Sequence, residues 1–125
     1  MNENDFSNVI IGAAIDVHRE LGPGLLESTY EDCLAHELKL REVPFERQMP
    51  IDVTYKDLRI NNGFKVDLLV GGLVVVELKS VERLVDVHDA QVLTYLRFTH
   101  TKLGLLLNFN VKYMRQGVRR LVLNL

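Results

Sequence analysis

Apolar positions from Phe6 onward (Phe6, Val9, Ile10, Ala13, Ala14, Val17 and Leu21) fall at helical spacing until Gly22-Pro23-Gly24 stops the pattern, which predicts a first helix. Leu26, Tyr30, Cys33, Leu34 and Leu38 form one stripe of a second helix that ends before Pro44, and Ser28-x-x-Glu31 reads as its capping box. After Pro44 the period changes to two. Met49, Ile51, Val53 and Tyr55 alternate with Gln48, Pro50, Asp52 and Thr54, as in a half-buried strand, and Pro50 assigns it to an edge. Phe64 to Val70 and Val74 to Ser80 read as strands joined by a glycine turn. A third helix is expected over 86–100, opened by Asp86 with Asp89 three places on in a capping arrangement. LGLLLNF, 103–109, is apolar on both faces, as a covered central strand would be. A weakly alternating strand, Arg120 to Leu125, closes the chain. The order α-α-β-β-β-α-β-β predicts an α/β fold with a mixed central sheet flanked by helices.

Composition adds bounds to this pattern. A length of 125 residues, 47% hydrophobic and 26% charged, suits one globular domain over 1–125 with a single core. The longest apolar run, LLVGGLVVV, falls far short of the roughly 20 residues a membrane helix needs. MNENDFSN leads into no apolar segment from a basic one, so no secretory signal is expected and the chain is read as cytoplasmic. Cys33 is the only cysteine, which rules out an internal disulfide. His18, His36, His88 and His100 have no ligand spacing, and His88, three before Gln91, is read as solvated. A net charge of −2 conceals a gradient: residues 1–50 carry ten acids and four bases, whereas 101–125 carry five bases and no acid. Such asymmetry permits phosphate contact at the basic end.

The tripeptide Glu-Leu-Lys occurs twice, and context separates the two copies. Glu37 and Lys39 lie on the second helix, where residues two apart do not face each other. Glu77 and Lys79 lie on a strand, where alternate side chains share a face. The preceding strand offers Asp67, and its relation to Glu77 depends on the turn. A two-residue Gly71-Gly72 hairpin would send the carboxylates to opposite faces; a three-residue loop, Gly71 to Leu73, pairs Asp67 with Glu77. Two carboxylates so placed repel by about 4 kcal/mol at 4 Å and an effective dielectric of 20. Lys79 offsets part of this, and a hard divalent cation such as Mg²⁺ or Mn²⁺ would offset more.

Asp67 followed by Glu77-Leu78-Lys79 resembles the PD-(D/E)XK nuclease superfamily, although Val66 stands where that pattern has proline. Gln91-Val92-Leu93-Thr94-Tyr95 is similar to the Gln-x-x-x-Tyr of the RecB-like branch. Gly24-Leu25-Leu26-Glu27-Ser28-Thr29-Tyr30 resembles the signature of the small bacterial GxxExxY family, and the likeness runs from about Asn8 to Leu123. The resemblance implies a restriction-endonuclease-like core and an Mg²⁺- or Mn²⁺-dependent nuclease acting on nucleic acid, with DNA placed ahead of RNA. It also implies Glu27, Asp67, Glu77 and Leu78 at the metal, Lys79 at the attacking water, and Gln91 and Tyr95 orienting ligands or a phosphate. Glu27 is preferred for the metal and Glu31 for the cap. The competing reading is a nuclease-fold binding or assembly module without turnover, and a homodimer would suit either. A nucleotide-binding α/β domain is disfavoured, because no strand leads into a phosphate-cradling glycine loop.

Overall fold

The computed structural model describes residues 1–123. Helices α1 (Glu3–Leu21) and α2 (Glu27–Leu40) precede strands β1 (Phe45–Tyr55), β2 (Leu58–Val70) and β3 (Val74–Lys79); α3 (Asp86–Thr99), β4 (Leu103–Asn108), a 3₁₀ turn (Met114–Gly117) and β5 (Val118–Val122) follow. The five strands form one sheet in chain order, antiparallel except for the β3–β4 pair, which is parallel. This is the expected mixed sheet with the expected order of elements. The alternation of β3 explains the layers: Val74, Val76 and Leu78 pack under α1 and α2, while Val75 joins Val92 and Leu96 of α3 on the other face. All six residues of β4 are buried, as a strand covered on both faces requires.

The helix starts differ from the expected ones for a common reason. Leu26 is the N-cap of α2 and is 73% exposed, so it does not share the apolar stripe, and Ser28 lies inside the helix without capping it. Glu31 is drawn away instead to Arg47 and Gln48 of β1. Likewise Val85, not Asp86, is the N-cap of α3; its N–H donates to His88 Nδ1 at 3.0 Å, and Asp89 binds Arg119 at 2.6 Å. In both helices a distant cation outcompetes a local cap, because a charge-assisted bond is about twice as strong as a neutral one.

The starts of two strands also move. β2 begins at Leu58, six residues before the expected start, and β5 spans Val118–Val122 after the short 3₁₀ turn that the periodicity gave no sign of. Residues 124 and 125 of the expected last strand lie outside the described residues. β1 is an edge strand, as Pro50 indicated.

Candidate active site

The β2–β3 turn uses three residues. Val70 pairs with Val74, and Leu68 with Val76, which puts Asp67 directly opposite Glu77. Gly71 and Gly72 both take left-handed φ, 60° and 69°, as this turn requires. The carboxylates therefore meet at the point where the β2–β3 ladder ends, and they replace its missing bonds. Asp67 N–H donates to Glu77 Oε2 at 2.7 Å, and Leu78 N–H donates to Asp67 Oδ2 at 2.9 Å. The two strands fork here, each held by the other's acid.

On the far side, β1 supplies a residue that the sequence reading passed over. Arg47 pairs with Leu68 and Met49 with Val66, so Gln48 faces Asp67 across an interrupted ladder. Gln48 has a left-handed φ of 48°, a conformation that costs energy in a residue with a β-carbon. The distortion coincides with a change of layer in β2, whose Phe64 and Val66 pack toward α3 while Leu68 and Val70 pack toward α1 and α2. It also lets the Gln48 amide donate to both Glu31 Oε1, at 2.8 Å, and Asp67 Oδ1, at 3.2 Å. Nothing in the spacing of the alternating β1 residues distinguishes Gln48 from a solvated strand residue.

Glu77 is 4% exposed. Burial, then repulsion from Asp67, pushes its carboxyl up to about 8, against the pull of the Asp67 N–H and of Lys79. Lys79 Nζ is half-buried and donates to Gln91 Oε1 of α3 at 3.4 Å, which joins the Glu-x-Lys strand to the Gln-x-x-x-Tyr helix. Tyr95 stacks on Phe64, centroids 4.3 Å apart, and its hydroxyl is raised above the usual phenol range by burial and by the charges of Glu77 and Asp67. It forms a wall of the site and makes no hydrogen bond to the carboxylates.

Glu27 opens α2, and Tyr30 sets where that helix starts. The Tyr30 ring stacks on Phe109 at 4.6 Å; its hydroxyl donates to Gly22 O at 2.6 Å and accepts from Leu25 N–H at 3.1 Å, pinning the loop that delivers Glu27. Ser80, next to Lys79, donates from Oγ to Leu25 O at 2.8 Å and ties the same loop to the end of β3. The Glu27 side chain is exposed, yet partial desolvation still raises its carboxyl; Lys79 opposes the rise, and Asp67 and Glu31 add to it. Tyr30→Phe should lower stability by roughly 0.5–1.5 kcal/mol, since the part-buried Gly22 carbonyl and Leu25 N–H lose their shared partner. Urea unfolding of the variant checks this.

Among the described residues, no three His, Cys, Asp or Glu side chains form a ready-made metal cage. The donor set nevertheless fits a hard cation. Mg²⁺ typically takes one or two protein carboxylates and fills its other positions with water and substrate phosphate. Asp67 and Glu77 are such a pair, aimed by main-chain amides, and no protein donor among the described residues occupies Glu77 Oε1. Leu78 buries its side chain in the opposite layer, so only its main-chain carbonyl is available as a ligand. Glu31 is committed to Arg47 and Gln48, whereas Glu27 is free to turn inward.

The sequence profile of the PD-(D/E)XK nuclease superfamily matches residues 4–121. No curated protein and no solved structure matches the chain.

Proposed function

The chain belongs to the PD-(D/E)XK nuclease superfamily, and we propose that it hydrolyses phosphodiester bonds of nucleic acid, DNA in preference to RNA, with Mg²⁺ or Mn²⁺ bound at the β2–β3 fork. The pairing of Asp67 with Glu77 beside Lys79 carries this reading, because it gathers two anionic ligands and one cation at a single break in the sheet. Asp67, Glu77 and the Leu78 carbonyl would hold the metal, and Glu27 would complete its shell from α2. The ion, when bound, lowers the pKa of water and stabilises charge on a phosphoryl oxygen. Lys79 positions the attacking water and offsets the developing negative charge. Gln91 fixes the Lys79 ammonium, and Tyr95 keeps bulk water from that side of the fork. Gln48 holds Asp67 in line. The Gly24, Glu27 and Tyr30 signature and the Gln91–Tyr95 pair support a place in the GxxExxY family on the RecB-like branch.

Incubation with single- and double-stranded DNA and RNA plus Mn²⁺ should give cleavage that Glu77→Ala abolishes. In the absence of substrate, Mn²⁺ at 100 times its Kd should stabilise the protein by about 2.7 kcal/mol and raise the melting midpoint. An inert binding module is the second reading, favoured by the lack of a preassembled cage among the described residues. An unchanged midpoint at millimolar Mn²⁺, together with no cleavage, would decide for it.

A further inference from the structure

A second concave surface lies on the other side of the loop that carries Glu27. It encloses about 450 Å³ between α1 and the turn before β5, and Arg19, Gly22, Pro23, Lys112, Tyr113 and Arg115 contribute to its lining. That volume is within the range of small-ligand pockets and admits one nucleotide unit. Three of these six residues are cationic. Arg19 is paired with Asp16, but among the described residues neither Lys112 nor Arg115 is within salt-bridge distance of a carboxylate. Between them Tyr113 is 61% exposed, with Lys112 Nζ 5.4 Å from its ring centroid. An aromatic ring open to solvent and flanked by two unpaired cations has the chemistry of a stacking platform for an unpaired base, with phosphates held on either side.

The cleft and the fork share a wall. Gly22 and Pro23 line the cleft, Leu25 of the same loop accepts from Ser80 beside Lys79, and Glu27 follows two residues later. A β-carbon added at Gly22 or Gly24 would meet no atom within 4 Å, so the loop presents bare main chain along which a strand could pass closely. We propose that this cleft is the track for one unpaired strand of nucleic acid, with Tyr113 stacking a base, Lys112 and Arg115 holding adjacent phosphates, and the strand crossing the Gly22–Leu26 loop to reach the carboxylates. This assignment rests on the nuclease reading and specifies its substrate as single-stranded at the point of entry.

The test is fluorescence anisotropy with a labelled single-stranded oligonucleotide in excess chelator, so that binding is read without turnover. Tyr113→Ala should weaken binding by about 5- to 150-fold, the effect of losing one stacked base, and Tyr113→Phe should bind as the parent does. The double variant Lys112→Ala/Arg115→Ala should reduce the slope of log affinity against log salt by about 1.4, or roughly 0.7 for each phosphate contact to a single strand. A duplex of the same sequence, its bases already stacked, should be insensitive to Tyr113→Ala. Equal losses for duplex and single strand, no loss in any variant, or a parent with no measurable affinity for the single strand would overturn the proposal. Its failure is separable from that of the nuclease reading: cleavage abolished by Glu77→Ala, with binding untouched by the cleft variants, leaves hydrolysis standing alone. Binding that depends on Tyr113 in a protein that never cleaves does the reverse.

Discussion

Lys79→Ala should reduce metal-supported cleavage by about 10²–10³-fold, the range seen when one preorganised electrostatic stabiliser is removed from a water-poor site. The fold should tolerate the change. The Lys79 side chain makes one long hydrogen bond among the described residues, 3.4 Å to Gln91, and the residue is only half-buried at the end of β3. Its loss does, however, remove the positive charge that favours ionised Glu77, so the metal has more repulsion to neutralise. Single-turnover cleavage at saturating Mn²⁺ therefore separates the two roles: a rate deficit that persists at saturation belongs to the water and the developing charge, and one that disappears belongs to metal affinity. Cleavage at the parental rate at every metal concentration would remove Lys79 from the chemistry. A large shift in the urea midpoint would mean that its role is structural.

The second large effect concerns Glu77 in the metal-free protein. Its carboxyl titrates near 4.5 when solvated and at about 8 in the fold. Between those values the native state keeps a proton that the unfolded chain has lost. Native proton binding then exceeds that of the unfolded state, and stability must fall as pH rises, by about 1.4 kcal/mol per pH unit through this window, before levelling above pH 8. The contribution is complete below the unfolded value and is gone once pH passes the folded one. Glu77→Gln, which cannot ionise, should lack this slope, and the difference between the two urea-unfolding profiles isolates Glu77 from the other titrating groups. Mn²⁺ should act in the opposite direction. The proton must leave before a carboxylate can bind the ion, so affinity should rise by up to tenfold per pH unit until about pH 8. Identical pH slopes for parent and Glu77→Gln would refute the assigned burial and repulsion.

Most of the architecture was legible because its signals are periodic. The seven apolar positions of α1, the double-sided run of β4 and the Glu-x-Lys on a strand each follow from side-chain spacing alone. The pairing of Asp67 with Glu77 was legible only as a choice between two turn lengths, and it was decided by two adjacent glycines in left-handed conformations. What spacing could not reveal was competition from far along the chain. Ser28 and Asp86 both fit local capping rules, yet Arg47 lies 16 residues from Glu31 and Arg119 lies 30 from Asp89, and these partners set where the carboxylates point. Gln48 was illegible for a related reason: a glutamine on a half-exposed strand is ordinary until the opposing strand presents an acid. The early part of β2, Leu58 to Gly63, has no buried face at all, so no hydrophobic period marks it.

The backward twist of Gln48 has an outcome away from the chemistry. A sheet margin with regular, unpaired amides invites a neighbouring molecule to continue the ladder, which is how ordered precipitates begin. β1 is such a margin, eleven residues long. Gln48 breaks its extended run, and Pro50, two residues on, has no amide hydrogen to offer a newcomer. The distortion that steadies Asp67 from one side thus blunts the strand on the other, so that protection of the sheet margin and the placing of the Asp67 carboxylate draw on the same local departure from regular geometry.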